Sequence, residues 1–280
     1  QRYEEAIMSY HSAIEFKPDF AEVYNNLGIT LKELGLYQEA VDNCTKAIEL
    51  GLGSQANFNL GNALLELGQV EEAISSFNTT IELEPGYVDA YYNLATALNR
   101  LGNYESAVSN YKRVIELKPN YPENHNNLGA SLHKLGKLED AVFHFNKAIE
   151  FKPDYIEAHY NLGNVLHNLE EYERAIVHQK KVIELQSDNV EAHNNLGTIL
   201  MDQGKFDEAK ESFLKAISFK SDSFHAHYNL GNLLAKTGEL IEAEKIIKKT
   251  IDIKPDFTPA HKILEFIKEK FLETKTNSLN

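Results

Sequence analysis

The string "AHYNLGN" stands at Ala158–Asn164 and again at Ala226–Asn232, and the near-copy "AHNNLGT" lies midway, 34 residues from each. A fixed period of this length constrains the fold more than any other feature, because each period must be one structural unit packing on its neighbours. With Ala21 as position 1, seven units follow, starting at Ala21, Ser54, Val88, Pro122, Ile156, Val190 and Phe224. The first is one residue short, in its closing loop "LGLGS". Position 7 is Leu in all seven (Leu27, Leu60, Leu94, Leu128, Leu162, Leu196, Leu230), as is position 11. Position 8 is Gly in six, with Ala95 in the third unit; position 20 is always Ala and position 28 always Ile.

Within a unit the apolar residues fall at 7, 11 and 14, then at 17, 20–21, 24, 27–28 and 30, which are two stripes of helical spacing. A Gly at position 15 separates the stripes in six units, Glu170 being the exception. Pro at position 32 ends four of them, where it cannot continue a helix. Each unit reads as a helical hairpin whose small residues at 8 and 20 let its two helices approach closely. A lone hairpin cannot bury its apolar face, so neighbours must stack.

This pattern resembles the tetratricopeptide repeat (TPR) family over residues 1–272, through about eight positions recurring seven times. The resemblance implies an all-α, right-handed superhelical solenoid of helix-turn-helix repeats: 21–53, 54–87, 88–121, 122–155, 156–189, 190–223 and 224–257. The family's bulky position 4 departs consistently, being Tyr, Asn or His here. Residues 3–16 fit only the second helix of a preceding repeat, so 1–20 is expected to be a truncated unit; the chain opens "QRYEEAI", inside a helical pattern and without Met. At the other end, residues 258–272 are expected to form a capping helix, since Glu265 and Lys268 place charge at positions 8 and 11. The polar stretch 273–280 is expected to be a disordered tail.

Position 6 is Asn in every unit: Asn26, Asn59, Asn93, Asn127, Asn161, Asn195 and Asn229. Asn costs on the order of half a kcal/mol against Ala inside a helix, so the row costs roughly 3–5 kcal/mol, and position 6 faces away from the packing stripe. A local expense of that kind marks a functional position. Under the TPR resemblance the first helices line the inner wall, and positions 2, 5, 6, 9, 12 and 13 face it. A carboxamide both donates and accepts, and helices stacked about 8–10 Å apart would meet an extended chain, rising about 3.3 Å per residue, once every three residues. The row is similar to the asparagine ladder of the TPR arm of O-linked N-acetylglucosamine transferase, which implies a grip on peptide backbone. The competing reading is that the amides bond neighbouring helices and serve only the stack. Phe58, Tyr92, Tyr160 and Tyr228 at position 5, and Glu123, Glu157 and Glu191 at position 2, are secondary groove candidates. First-turn acids also complement the helix dipole. TPR domains that clamp acidic chaperone tails use cations at positions 2 and 6, and those cations are missing here.

The expectation is a non-catalytic scaffold for a protein or extended peptide segment. The alternative is the substrate-recognition arm of a larger enzyme, such as a protein glycosyltransferase, whose catalytic domain lies outside the chain. An uncapped N-terminal hairpin would also let copies stack into oligomers. The formal charge of −14 and the lack of any Lys/Arg run argue against nucleic acid, which needs clustered cations. No apolar run approaches a membrane span, arguing against membrane insertion. No cofactor is expected: "GLGSQA" at Gly51–Ala56 mimics a dinucleotide loop but closes a helix instead of following a strand. No metal is expected either, because His125, His159, His193, His227 and His261 recur at position 4 one helix spacing apart and cannot converge on one ion. Cys44, the lone cysteine, occupies a core slot; it suits a reducing, cytoplasmic compartment.

Overall fold

The structure, a computed structural model, describes residues 2–277, and among these residues every regular element is an α-helix. It divides into two compact units, the first ending at Phe151 and the second starting at Lys152. The first holds α1 (Arg2–Phe16) and four hairpins: α2 (Ala21–Glu33) with α3 (Tyr37–Glu49), α4 (Ser54–Glu66) with α5 (Val70–Leu83), α6 (Val88–Arg100) with α7 (Tyr104–Leu117), and α8 (Pro122–Lys134) with α9 (Leu138–Phe151). The second holds α10 (Ile156–Asn168) with α11 (Tyr172–Leu185), α12 (Val190–Asp202) with α13 (Phe206–Phe219), α14 (Phe224–Thr237) with α15 (Leu240–Ile253), and the terminal α16 (Thr258–Asn277). The last helix thus runs beyond Leu272 to Asn277; residues 278–280 of the expected tail lie outside the described residues.

The turn inside each hairpin is closed by one recurring bond. The N–H of position 16 donates to the carbonyl of the position-11 leucine: Leu36 to Leu31 at 2.9 Å, Lys137 to Leu132 at 2.9 Å, Lys205 to Leu200 at 2.8 Å. That closure requires the residue between to be left-handed, which Gly adopts without penalty. Gly35, Gly68, Gly102, Gly136, Gly204 and Gly238 all have positive φ, and Glu170 takes φ 59° in the hairpin that lacks glycine.

Helix pairing rests on positions 8, 20 and 24. The position-20 alanines, Ala40 to Ala243, are fully buried. Position 8 faces position 24 of the second helix: a Cβ built on Gly61 would lie 2.6 Å from the Phe77 ring, and one on Gly197 would lie 2.6 Å from Phe213. The missing side chain makes the hole that the ring fills. In the first unit Leu64, Ala73, Phe77 and Leu94 form one such cluster; in the second, Leu196, Phe213, Leu230 and Ile247 belong to a core reaching Ile267 of α16. Successive first helices within a unit also touch, α2 on α4, α4 on α6 and α6 on α8, then α10 on α12, α12 on α14 and α14 on α16. Those contacts make the first helices one face of each unit.

Candidate functional site: the face of the first helices

Position 6 lies on that face. Asn26 is exposed and the other six asparagines are half-buried. Each described bond from the row reaches back to the preceding first helix. Asn59 Nδ2 donates to Asn25 Oδ1 at 2.9 Å, Asn93 to Asn62 Oδ1 at 2.7 Å, and Asn127 to the Tyr92 hydroxyl at 2.9 Å. In the second unit Asn195 donates to Asn164 Oδ1 at 2.8 Å, and Asn229 to Asn194 Oδ1 at 2.9 Å. The acceptors alternate between positions 5 and 9 of the previous unit. The row therefore does serve the stack.

It is not saturated by doing so. A carboxamide has two N–H groups and one oxygen with two lone pairs, and these bonds use only the N–H side, Asn229 Nδ2 reaching Thr198 Oγ1 at 3.4 Å as well. Among the described residues the Oδ1 of Asn59, Asn93, Asn195 and Asn229 takes no hydrogen bond.

The position-5 aromatics are split between packing and groove. Phe58 sits 4.9 Å from the Tyr87 ring and 5.9 Å from Phe77; Tyr228 meets Phe257 edge-on at 5.0 Å. Tyr92 packs between Tyr111 and Tyr121, and burial pushes its hydroxyl well above the usual phenol range. Tyr160 instead lines two adjoining clefts. The larger, about 540 Å³, is bounded by Asp154, Tyr155, Glu157 and Glu191 among others; the smaller, about 290 Å³, includes Glu191, Asn194, Asn195 and His225. Glu157 and Glu191 thus converge with Tyr160 and Asn195 in the second unit. Glu123 lies in the first, where with Asp89 it holds the Tyr121 hydroxyl above its ordinary value, after burial.

The position-4 histidines sit behind this face. His125, His159, His193 and His227 are buried, and His261 is exposed. Their rings bond main-chain carbonyls in the closing loop of the preceding repeat: His125 Nε2 to Pro119 O, His159 Nε2 to Pro153 O and His193 Nε2 to Ser187 O, each at 3.0 Å. Spacing along the sequence does not reveal that two of them also face a histidine of the second helix. His125 Nδ1 is 3.1 Å from His144 Nδ1, and His159 Nδ1 is 2.9 Å from His178 Nδ1. Burial and the facing ring hold His144 and His178 down to about 4. Cys44 fills position 24 against Gly28, and burial pushes its thiol up to about 12. No helix among the described residues is long and apolar enough to cross a membrane.

No curated protein sequence matches this chain. Among solved structures, that of YrrB, described as a TPR protein with an unusual peptide-binding site, is 26% identical with a TM-score of 0.56, covering 67% of this chain and 96% of that one. The Cut9–Hcn1 hetero-tetramer of the APC/C gives a TM-score of 0.66 at 17% identity, over 95% of this chain and 52% of that one. PilF of Pseudomonas aeruginosa gives 0.63 at 16%, over 75% and 95%. At such identities the last two speak for the fold alone. A profile described as TPR repeat matches residues 1–35 and, in overlapping segments, 61–238, and profiles described as tetratricopeptide repeat match 21–50 and 224–257. With more than half its length matched, and with hairpins built on the same recurring positions, the chain belongs to the tetratricopeptide repeat family.

Proposed function

We propose that this chain is an interaction scaffold that holds an extended protein segment against the face of its first helices, with the asparagine row gripping the segment's main chain. The observation that carries this reading is the divided use of each amide. The N–H side is spent on the neighbouring helix, which fixes the side chain's orientation, while among the described residues the carbonyl oxygens of Asn59, Asn93, Asn195 and Asn229 take no hydrogen bond. A side chain pre-oriented by one bond loses less freedom when it makes a second. Unpaired acceptors at helix spacing suit the N–H groups of an extended backbone, and the clefts beside Tyr160 supply room for its side chains. The peptide-binding site reported for YrrB supports the same use of the fold.

The test starts from random twelve-residue peptides displayed on phage and selected against the intact chain. Dissociation constants of the enriched peptides are then compared between it and the variant Asn93→Ala/Asn195→Ala/Asn229→Ala. Three lost hydrogen bonds, at about 0.5–1.5 kcal/mol each, should weaken binding at least about tenfold. An unchanged constant on a variant with full helical circular dichroism rejects the row as the site. Failure to enrich any peptide rejects the scaffold reading.

A further inference from the structure

Two hairpins carry a pair of histidines that neither the core nor the peptide-facing row requires. Of the seven repeats, only those starting at Pro122 and Ile156 have His at both position 4 and position 23; the others have Asn43, Ser76, Asn110, Ser212 and Ile246 at the second place. In both hairpins the first-helix ring donates its Nε2–H to a carbonyl, since a carbonyl only accepts: His125 to Pro119 O and His159 to Pro153 O. The Nδ1 of each neutral ring is therefore an acceptor, and it takes the Nδ1–H of a ring on the second helix, His144 at 3.1 Å and His178 at 2.9 Å, so a single hydrogen separates the two nitrogens. The rings meet edge to edge, centroids 5.4 and 5.2 Å apart and planes tilted by 27° and 34°, so each Nδ1 points toward the other and a tilt of either ring brings both to face one ion.

We propose that each pair is a two-histidine site for a late first-row divalent cation, Zn(II) or Cu(II), bound between the two Nδ1 atoms and joining the helices of its hairpin. A metal-ligating histidine commonly donates its other N–H to a carbonyl, which fixes tautomer and ring angle; His125 and His159 already do so. Zn–N distances of about 2.0–2.1 Å at tetrahedral angles put two nitrogens roughly 3.3 Å apart, so the rings need to part by only a few tenths of an ångström. Proton balance is simple. The hydrogen now on Nδ1 of His144 or His178 moves to Nε2 of the same ring through solvent, and no proton is released.

The surroundings set the kind of site. No group of three or more His, Cys, Asp or Glu converges among the described residues, so the imidazoles are the whole protein donor set and water completes the shell. Such a site holds an exchangeable ion. His144 and His178 are half-buried, and beside His159 and His178 an open cleft of about 410 Å³, lined also by Val177, Lys181 and Glu184, has room for the water ligands. Of the cations nearby, Lys181 pairs with Glu184 and Lys147 with Glu150, each at 2.7 Å, while Lys180 lines the cleft and Lys112 faces His144. Imidazole donors favour Cu(II) over Zn(II) by the usual divalent order.

The whole chain, at pH 8 in a non-coordinating buffer, is titrated calorimetrically with ZnCl₂ and separately with CuCl₂, and melted with and without metal. Two equivalents should bind, and the melting temperature should rise with metal concentration, because a ligand seen only by the folded hairpin stabilises it. His144→Gln and His178→Gln should each remove one equivalent, and the double variant should remove both and lose the rise. The Cu(II) resonance spectrum of the unmodified chain should show two bound nitrogens, a readout independent of how the variants fold. Absence of saturable binding, a spectrum without nitrogen pairs, or a double variant with unchanged stoichiometry overturns the proposal.

Discussion

Glu170 occupies a place where six other repeats have glycine, and it adopts the same left-handed backbone, φ 59°. The turn is held by its flanks: Glu171 N–H reaches Leu166 O at 2.9 Å and Glu170 N–H reaches His167 O at 2.9 Å, as in the glycine-bearing hairpins. A residue with a Cβ pays about 1 kcal/mol or more for that conformation. Glu170→Gly should therefore stabilise the second unit by about 0.5–1 kcal/mol, after allowing for the greater freedom glycine gains when unfolded. The matched control Glu170→Ala should show no gain; urea unfolding followed by circular dichroism compares the two. A gain in the alanine variant equal to that in the glycine variant would place the effect in the carboxylate's charge instead of the backbone. The sequence marks Glu170 as an irregularity but gives no hint that the turn survives it, because the closing bonds belong to main-chain atoms on either side.

At the scale of the hairpin, close approach depends on what position 24 can yield. A Cβ on Gly61 would sit within 3.0 Å of three atoms of the Phe77 ring, a rigid body buried on all sides. On Gly163 it would meet the end of the Gln179 side chain, with Nε2 at 2.7 Å. Gly61→Ala should lower stability, since overpacking costs about 1–3 kcal/mol against a helix-propensity gain of about 1. Gly163→Ala should be near neutral: Gln179 can swing, losing its 2.9 Å bond to Asn164 Oδ1, worth about 1 kcal/mol. Thermal melts of the two variants side by side check the difference, and equal losses would mean that Gln179 is as fixed as the ring. The hairpin fold itself was legible from the leucines, alanines and glycines, because their spacing is set by one helix at a time. The partners of the asparagine row were not. Asn93 finds Asn62, 31 residues back, whereas Asn127 finds Tyr92, 35 back; that choice depends on how one first helix is rotated against the next. The same holds for the histidine pairs, whose members sit on opposite helices of a hairpin.

At the scale of the whole molecule, packing among the described residues of each unit links a helix only to its sequence neighbours and to the next first helix. In the first unit the pairs run from α1 on α2 to α8 on α9, and in the second from α10 on α11 to α15 on α16. Among the described residues no contact within a unit ties its first hairpin to its last, so each hairpin's stability comes from itself and the one or two beside it. The supply is uneven. No described residue of α1 is buried, whereas α8 buries seven, among them Leu128 and Leu132. Helices with few buried apolar contacts open at lower free energy than those packed on both sides. Amide hydrogen exchange read by mass spectrometry should then show α1 exchanging at least about ten times faster than α2 and α8, which bury seven residues each. Uniform protection from α1 to α9 would instead mean that the first unit opens as a single cooperative body. A faster α1 would leave the asparagine row of that unit, from Asn26 to Asn127, on helices better held than the one before them. Pre-orientation by the bonds to Asn62 and Tyr92 can only be kept where the helices beneath stay closed, so the protection profile also ranks which asparagines can hold a ligand longest.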